Sequence, residues 1–427
     1  MTAMLAVAAI LIVYGAVSKP LDARGVTSAM VFMLAGLLVG PSVLDLVDLP
    51  VESATAERLT ELALALLLFS DAARIDLRSL RAQLAWPERL LLAGLPLTML
   101  VGAGVGLLVF PGIGLATAVL LSIMLASTDA ALGQRVVTDT AVPSRVRQAL
   151  NVESGLNDGL AVPFFLVAVD ITLAESQTNA VTAVVKNAAE QIGYGILAGV
   201  GAALLGALLV RRADRHGWIE THWRQIMTLG TAALAYSLAV WLGGSGFIGA
   251  FVGGLTFGWA AGARGLRFTL FTEETGGLLT AVVWIGFGAL ALERVLPHLT
   301  WQIVLYAVLS LTLVRLGPVA LAMLRSGARG PTVWFMGWFG PRGLASVVFG
   351  LLALEAHVPH AELLVQVVTC TVALSVLAHG LSSVPLIAAY RRWYEAHTAA
   401  RPEAEEAVPT VAPRFRRQPA QDDPAPA

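Results

Sequence analysis

Charge is scarce in this chain. Only 13% of its 427 residues are Asp, Glu, Lys or Arg, against about 25% in soluble domains. Hydrophobic residues make up 57% and the mean hydropathy is +0.75. That shortage, over this length, excludes an ordinary soluble protein and leaves an integral membrane one. Cysteine is almost missing too. Cys370 stands alone, which excludes an internal disulfide framework and a cysteine zinc cluster. A net charge of −1 gives a nucleic acid or other polyanion nothing to bind. Aromatic and amide groups are few inside the apolar runs, which argues against a roomy pocket for an organic solute. The first run, 3–17, has no basic leader and no small-residue cleavage site, so it reads as a membrane helix rather than a removed signal peptide.

What is abundant is apolar sequence in lengths near the roughly 20 residues that cross a bilayer. Thirteen spans are expected, at 3–17, 27–43, 60–73, 88–109, 113–133, 148–172, 187–210, 225–242, 245–262, 276–292, 301–324, 331–354 and 363–389. The basic residues check that count. Lys19, Arg24, Arg74, Arg78, Arg81, Arg89, Arg135, Arg145, Arg147, Arg211, Arg212, Arg215, Arg224, Arg264, Arg267, Arg325 and Arg329 follow odd-numbered spans. The other connections hold only Arg58, Lys186 and Arg294. By the positive-inside rule this alternation puts the N-terminus outside and the C-terminus in the cytoplasm. Residues 1–390 form the membrane domain. Residues 391–427, rich in Pro, Ala, Glu and Arg, are expected to be a disordered cytoplasmic tail, too short for a nucleotide-binding regulatory domain. Glycines within spans, such as Gly102, Gly104, Gly106, Gly253 and Gly254, suit close helix packing.

Ionisable groups inside spans are expensive, about 2.5–3.5 kcal/mol each on insertion scales, and are functional by default. The most crowded stretch is Asn151-Val-Glu-Ser-Gly-Leu-Asn-Asp-Gly159. On a helix Ser154 and Asp158 share a face, and Glu153 and Asn157 share the neighbouring one. Glu153 and Asp158 diverge by roughly 140°, so one suits a ligand and the other a structural ion pair. Ser127-Thr128-Asp129 interrupts span five, Thr369-Cys370-Thr371 span thirteen, and Gly340-Pro-Arg-Gly343 span twelve. Transporters place such breaks in two related halves with the site between them. Span five is one candidate, and spans twelve and thirteen compete to be the other. Asp71 reads either as an interfacial cap or as an additional acid. Thr369 and Thr371 read as hydroxyls bonded to their own helix, and Arg315, beside Gly317-Pro318, as satisfying the carbonyls of a kinked helix. Four acids, Asp71, Asp129, Glu153 and Asp158, face two bases, Arg315 and Arg342. The surplus implies a carboxylate that awaits a mobile cation or a proton.

Thr128-Asp129, Glu153-Ser-Gly-Leu-Asn-Asp158, Gly340-Pro-Arg-Gly343 and Gly36-Leu-Leu-Val-Gly-Pro41 together resemble the monovalent cation:proton antiporter family 1, the bacterial and eukaryotic sodium/proton exchangers. The resemblance covers about residues 1–390. It implies an all-α polytopic fold of about thirteen transmembrane helices, with inverted repeats, discontinuous helices crossing at the midplane, and a core moving against a dimerising scaffold. It implies Na⁺/H⁺ antiport by alternating access, no enzyme activity, no cofactor, a homodimer in the cell membrane, and a part in pH homeostasis. Asp158 takes the family's ion- and proton-binding place, with Ser154, Thr128 and Asp129 as further ligands of the transported Na⁺. Glu153 and Arg342 take the place of its ion pair. Asn157 before Asp158 implies electroneutral one-for-one exchange. Where many members have proline after Thr-Asp, this chain has Ala130. Where some carry a third acid after the span-three phenylalanine, it has Ser70, then Asp71.

The physical picture is competition. A buried carboxylate is penalised while charged and unpaired, so Asp158 holds either Na⁺ or H⁺ as it crosses. A hard alkali cation takes oxygen ligands, by analogy with other hard cations. K⁺ or Li⁺ in place of Na⁺ is the nearest alternative. Of other classes, a proton-coupled symporter of an organic solute would need a larger pocket, and an intramembrane aspartyl protease would need a Gly-x-Gly-Asp pattern that Gly155-Leu-Asn-Asp158 lacks.

Overall fold

The computed structural model describes residues 2–46, 54–75, 85–174, 180–262, 269–401 and 404–408. Arg78, Arg81, Arg264 and Arg267 lie outside them. Every described element is helical, as hydrocarbon requires: a helix satisfies its own backbone polar groups where no water can. We number the helices α1 Thr2–Ala23, α2 Ser28–Val39, α3 Ala54–Ala73, α4 Ala85–Val109, α5 Leu115–Met124, α6 Gln134–Thr138, α7 Ser144–Ala174, α8 Ala180–Arg215, α9 Thr221–Trp241, α10 Gly246–Ala261, α11 Leu270–His298, α12 Trp301–Ala322, α13 Gly330–Trp338, α14 Leu344–Glu355 and α15 Ala361–Ala400. Each of the thirteen expected spans falls on one of these or on a broken pair. Leu92, Leu100, Leu108 and Trp241 point outward and are 69%, 69%, 81% and 80% exposed, a surface that only lipid covers at low cost.

Small residues set the helix crossings, as the sequence suggested. A Cβ on Gly288 would strike the Met33 carbonyl, and one on Gly254 the Phe69 carbonyl, so α11 lies against α2, and α10 against α3, at backbone distance. Dispersion between close backbones drives association where the hydrophobic effect between helices is absent.

The arginine-bearing helix ends gather on one face. Arg135 of α6 donates to the Asp22 carbonyl at the end of α1. Arg89 Nη1 donates to the Leu324 carbonyl after α12 at 2.9 Å. Arg145 stacks over Trp86, 4.3 Å from its ring centre, and pairs with Glu405. The 40-residue α15 begins at the other end of the fold, where its first turns line a cavity with the ends of α11 and α14.

The structure decides one open alternative and moves one boundary. Span thirteen is not broken: α15 runs through Thr369–Thr371 without interruption, and Thr371 Oγ1 bonds back to the Val367 carbonyl at 2.7 Å. The second break is Phe339–Gly343, between α13 and α14. The boundary at residue 390 also falls inside a helix. α15 continues to Ala400, and Glu406 is buried, accepting bonds from Arg329 N at 2.7 Å and Thr332 Oγ1 at 3.0 Å. Docking against the start of α13 buries the Glu406 side chain, while Glu405 and Val408 on either side stay exposed.

Candidate functional site

The two breaks meet. α5 and α13 enter from opposite faces, each stops in mid-structure, and the Asp129 N–H donates to the Pro341 carbonyl at 2.8 Å. Breaks five and twelve are seven spans apart, and α5 and α13 run toward each other. Each broken end exposes backbone groups that something must satisfy. Arg342 Nη1 donates to the Ala126 and Ser127 carbonyls past the end of α5, at 2.9 and 3.1 Å. Asp129 does the converse. Its Oδ2 accepts the Leu344 N–H at the start of α14, at 3.0 Å, and its Oδ1 accepts those of Ala131 and Leu132, at 2.8 and 3.1 Å. A cation at a helix C-terminus and a carboxylate at an N-terminus both complement the helix dipole.

Two glycines of the Gly340-Pro-Arg-Gly343 segment are there for space. A Cβ on Gly343 would collide with the Asp129 carboxylate, and one on Gly340 with the Arg315 guanidinium. Pro341 adds a position with no N–H to satisfy.

The ion pair differs from the expected one. Glu153 is paired with Arg315, not with Arg342: Arg315 Nη1 and Nη2 reach its two carboxylate oxygens at 2.5 and 2.9 Å, and both side chains are 3% exposed. The two arginines have exchanged their expected jobs. Arg315 neutralises the glutamate, and Arg342 holds the carbonyls. Spacing cannot reveal this, since either arginine lies far from residue 153 in sequence. Sequence reading also missed Ser375, whose Oγ accepts the Arg342 N–H at 2.7 Å.

The remaining predicted residues come together where α7 passes the breaks. The Thr128 hydroxyl lies 3.0 Å from the Ser154 hydroxyl and accepts from Asn157 Nδ2 at 2.6 Å. Asp158 is half-buried, and the charges of Asp129, Asp71 and Arg342 act on it. Asp71, also half-buried, approaches α7 at Gly155. Among the described residues, Asp158 Oδ1, Asn157 Oδ1 and Ser127 Oγ are buried here without a well-formed hydrogen bond, although the Ser127 hydroxyl lies close enough to the Asp158 carboxylate to interact with it. Buried polar atoms are almost always satisfied, so three such oxygens in adjoining positions mark a place for something that binds oxygen. With Glu153 neutralised and Arg342 fixed on carbonyls, Asp71, Asp129 and Asp158 carry the surplus negative charge. The cluster suits a small cation or a proton.

The family profile described as "Sodium/hydrogen exchanger, transmembrane" matches residues 6–389. A Na(+)/H(+) antiporter of Schizosaccharomyces pombe is 26% identical over 258 residues, 55% of this chain and 53% of the relative. A K(+)/H(+) antiporter NhaP2 of Shewanella sp. strain ANA-3 is 24% identical over 401 residues, 88% of this chain and 65% of the relative. This chain therefore spans between half and two thirds of the length of these curated relatives. The structure of the sodium proton antiporter MjNhaP1 from Methanocaldococcus jannaschii superposes with a TM-score of 0.73 at 18% identity, over 92% of this chain and 100% of that one. That likeness shows the fold.

Proposed function

This chain belongs to the sodium/hydrogen exchanger family, and from that premise we propose that it exchanges Na⁺ for H⁺ across a membrane at a site centred on Asp158. The observation that carries the reading is the group of buried oxygens left without a well-formed hydrogen bond, Asp158 Oδ1, Asn157 Oδ1 and Ser127 Oγ, in the middle of α7 and at the α5 break. Ser154 and the Thr128 main-chain carbonyl complete an oxygen set for a hard cation. Asp129 contributes its charge, while its oxygens already accept three backbone N–H groups. Glu153, Arg315 and Arg342 hold the crossing in shape. Asp71 is a further acid toward the arginine-rich face.

Loaded with either ion, the site is neutral enough to move; empty, it is penalised by desolvation. One carboxylate exchanging one ion for one proton makes the cycle electroneutral. The protein works as a homodimer in the cell membrane, with the arginine-rich face toward the cytoplasm. Relatives named for Na⁺ and for K⁺ both match, so K⁺/H⁺ exchange is the second reading. The test is cation-by-cation exchange in reconstituted vesicles, with and without a membrane potential. Asp158→Asn should abolish exchange while the protein stays folded. Normal Na⁺-driven proton movement in that variant would overturn the assignment.

A further inference from the structure

On the face opposite the arginine-rich one, the ends of α11 and α14 and the start of α15 enclose a cavity of about 320 Å³. Three oxygen-bearing side chains of α15 descend into it: Glu362, Gln366 and Thr369. Their spacing, i, i+4 and i+7, places them on one helix face, a turn apart. Their exposure falls in the same order. Glu362 is exposed, Gln366 half-buried and Thr369 only 3% exposed. The mouth is bridged from α11, where Arg294 Nη2 lies 3.7 Å from Glu362 Oε1, with both side chains at least half exposed. An exposed pair at that distance is worth about 0–1 kcal/mol, so it opens at little cost.

The floor includes Val347 and Gly350 of α14 and Val368 of α15. Val347 is three residues past Leu344, about 4.5 Å along the axis, and the Leu344 N–H is the group that holds Asp129. The cavity thus ends roughly one turn short of the crossing. Buried Met124, the last residue of α5, packs against Gly350 at that depth.

We propose that this cavity is the vestibule by which the cation enters and leaves on that face, with Glu362, Gln366 and Thr369 as successive oxygen ligands and Arg294–Glu362 as its gate. The proposal rests on the exchange reading above. A hard cation shedding water needs oxygen partners at each step. A carboxylate, an amide and a hydroxyl in line supply them, with the one carboxylate at the mouth, where the ion is captured once Arg294 swings away.

Cys370 is the chain's sole cysteine, so Cys370→Ser gives a clean background. In it, Thr369→Cys in vesicles should react with a membrane-impermeant cationic thiol reagent applied to the α14–α15 end only. Modification should block exchange, and Na⁺ should slow it. If that variant does not reach the membrane, Gln366→Cys serves in its place. Separately, Glu362→Gln should raise the Na⁺ concentration for half-maximal rate from that face by roughly two- to fivefold, the effect of one exposed charge, and leave the other face unchanged. Exchange that continues after full modification, or a cysteine inert from that face in an exchanging protein, would overturn the vestibule. So would an unchanged Na⁺ dependence in Glu362→Gln. Absence of cation-driven proton movement in the parent protein would instead overturn the exchange reading.

Discussion

Arg315 grips Glu153 with two nitrogens, at 2.5 and 2.9 Å, and neither side chain reaches the surface. A two-pronged guanidinium–carboxylate contact fixes direction as well as distance. It ties α12 to the same helix that carries Asp158, one residue from Ser154. Breaking a buried pair by removing one partner costs about 3–5 kcal/mol, because the other charge is stranded. Arg315→Ala should therefore lower the thermal midpoint of the detergent-purified protein sharply. Glu153→Gln with Arg315→Gln should recover much of the loss. A double-mutant cycle should give a large coupling between 153 and 315 and a small one between 153 and 342; the reverse ranking would contradict the pairing.

Gly343 and Gly104 make a matched contrast. A Cβ at 343 meets the Asp129 carboxylate, whereas one at 104 meets nothing within 4 Å. Gly343→Ala should destabilise by about 1–3 kcal/mol, the usual range for overpacking, and cut exchange, since the Asp129–Leu344 contact has to shift. Gly104→Ala, at an open mid-helix position, should leave stability unchanged or raise it by up to about 1 kcal/mol. Equal midpoints for the two variants would argue against a close crossing of the breaks at Gly343.

Acidity should act on Na⁺ affinity. If proton and cation compete for Asp158, lowering the pH adds protons to the site and raises the Na⁺ needed for half-maximal exchange. Saturating Na⁺ should restore the rate. The sign follows from competition: each proton bound removes one vacancy for the ion. Initial rates over a grid of pH and Na⁺ would show it. A pH effect confined to the maximal rate, at constant Na⁺ affinity, would be the contrary result.

Much of this was legible in the residues. Composition pointed to the membrane class, and the apolar runs, checked by the alternation of arginines, pointed to spans that the helices match. Asp158, Asn157, Ser154 and Thr128 were singled out by polarity inside apolar runs, and the fold brings them together. Other features were not legible. Two buried arginines compete for one glutamate, and only the crossing of α12 behind Gly340 decides between them. Thr369–Thr371 and Gly340–Gly343 both look like interruptions. Threonines can bond back to their own helix, as Thr371 does, while Pro341 lacks the N–H that continuity requires. The docking of Glu406 depends on the free N–H of Arg329, which composition does not display.

Glu406 offers a test away from the site. Its buried carboxylate holds the start of α13 through Arg329 N and Thr332 Oγ1. Glu406→Ala should strand those donors and cost about 1–3 kcal/mol, read as a lower thermal midpoint. Exchange by the variant at low temperature should persist. An unchanged midpoint would mean that this contact contributes nothing.

The most direct test of the whole account is proton release on ion binding. Purified protein in a weakly buffered detergent solution, held at a pH where the empty site is protonated, is mixed with Na⁺ and the proton yield is measured. The account predicts a proton liberated for each Na⁺ bound, and neither binding nor release in Asp158→Asn. Sodium binding with no proton released, or release undiminished in that variant, would contradict it.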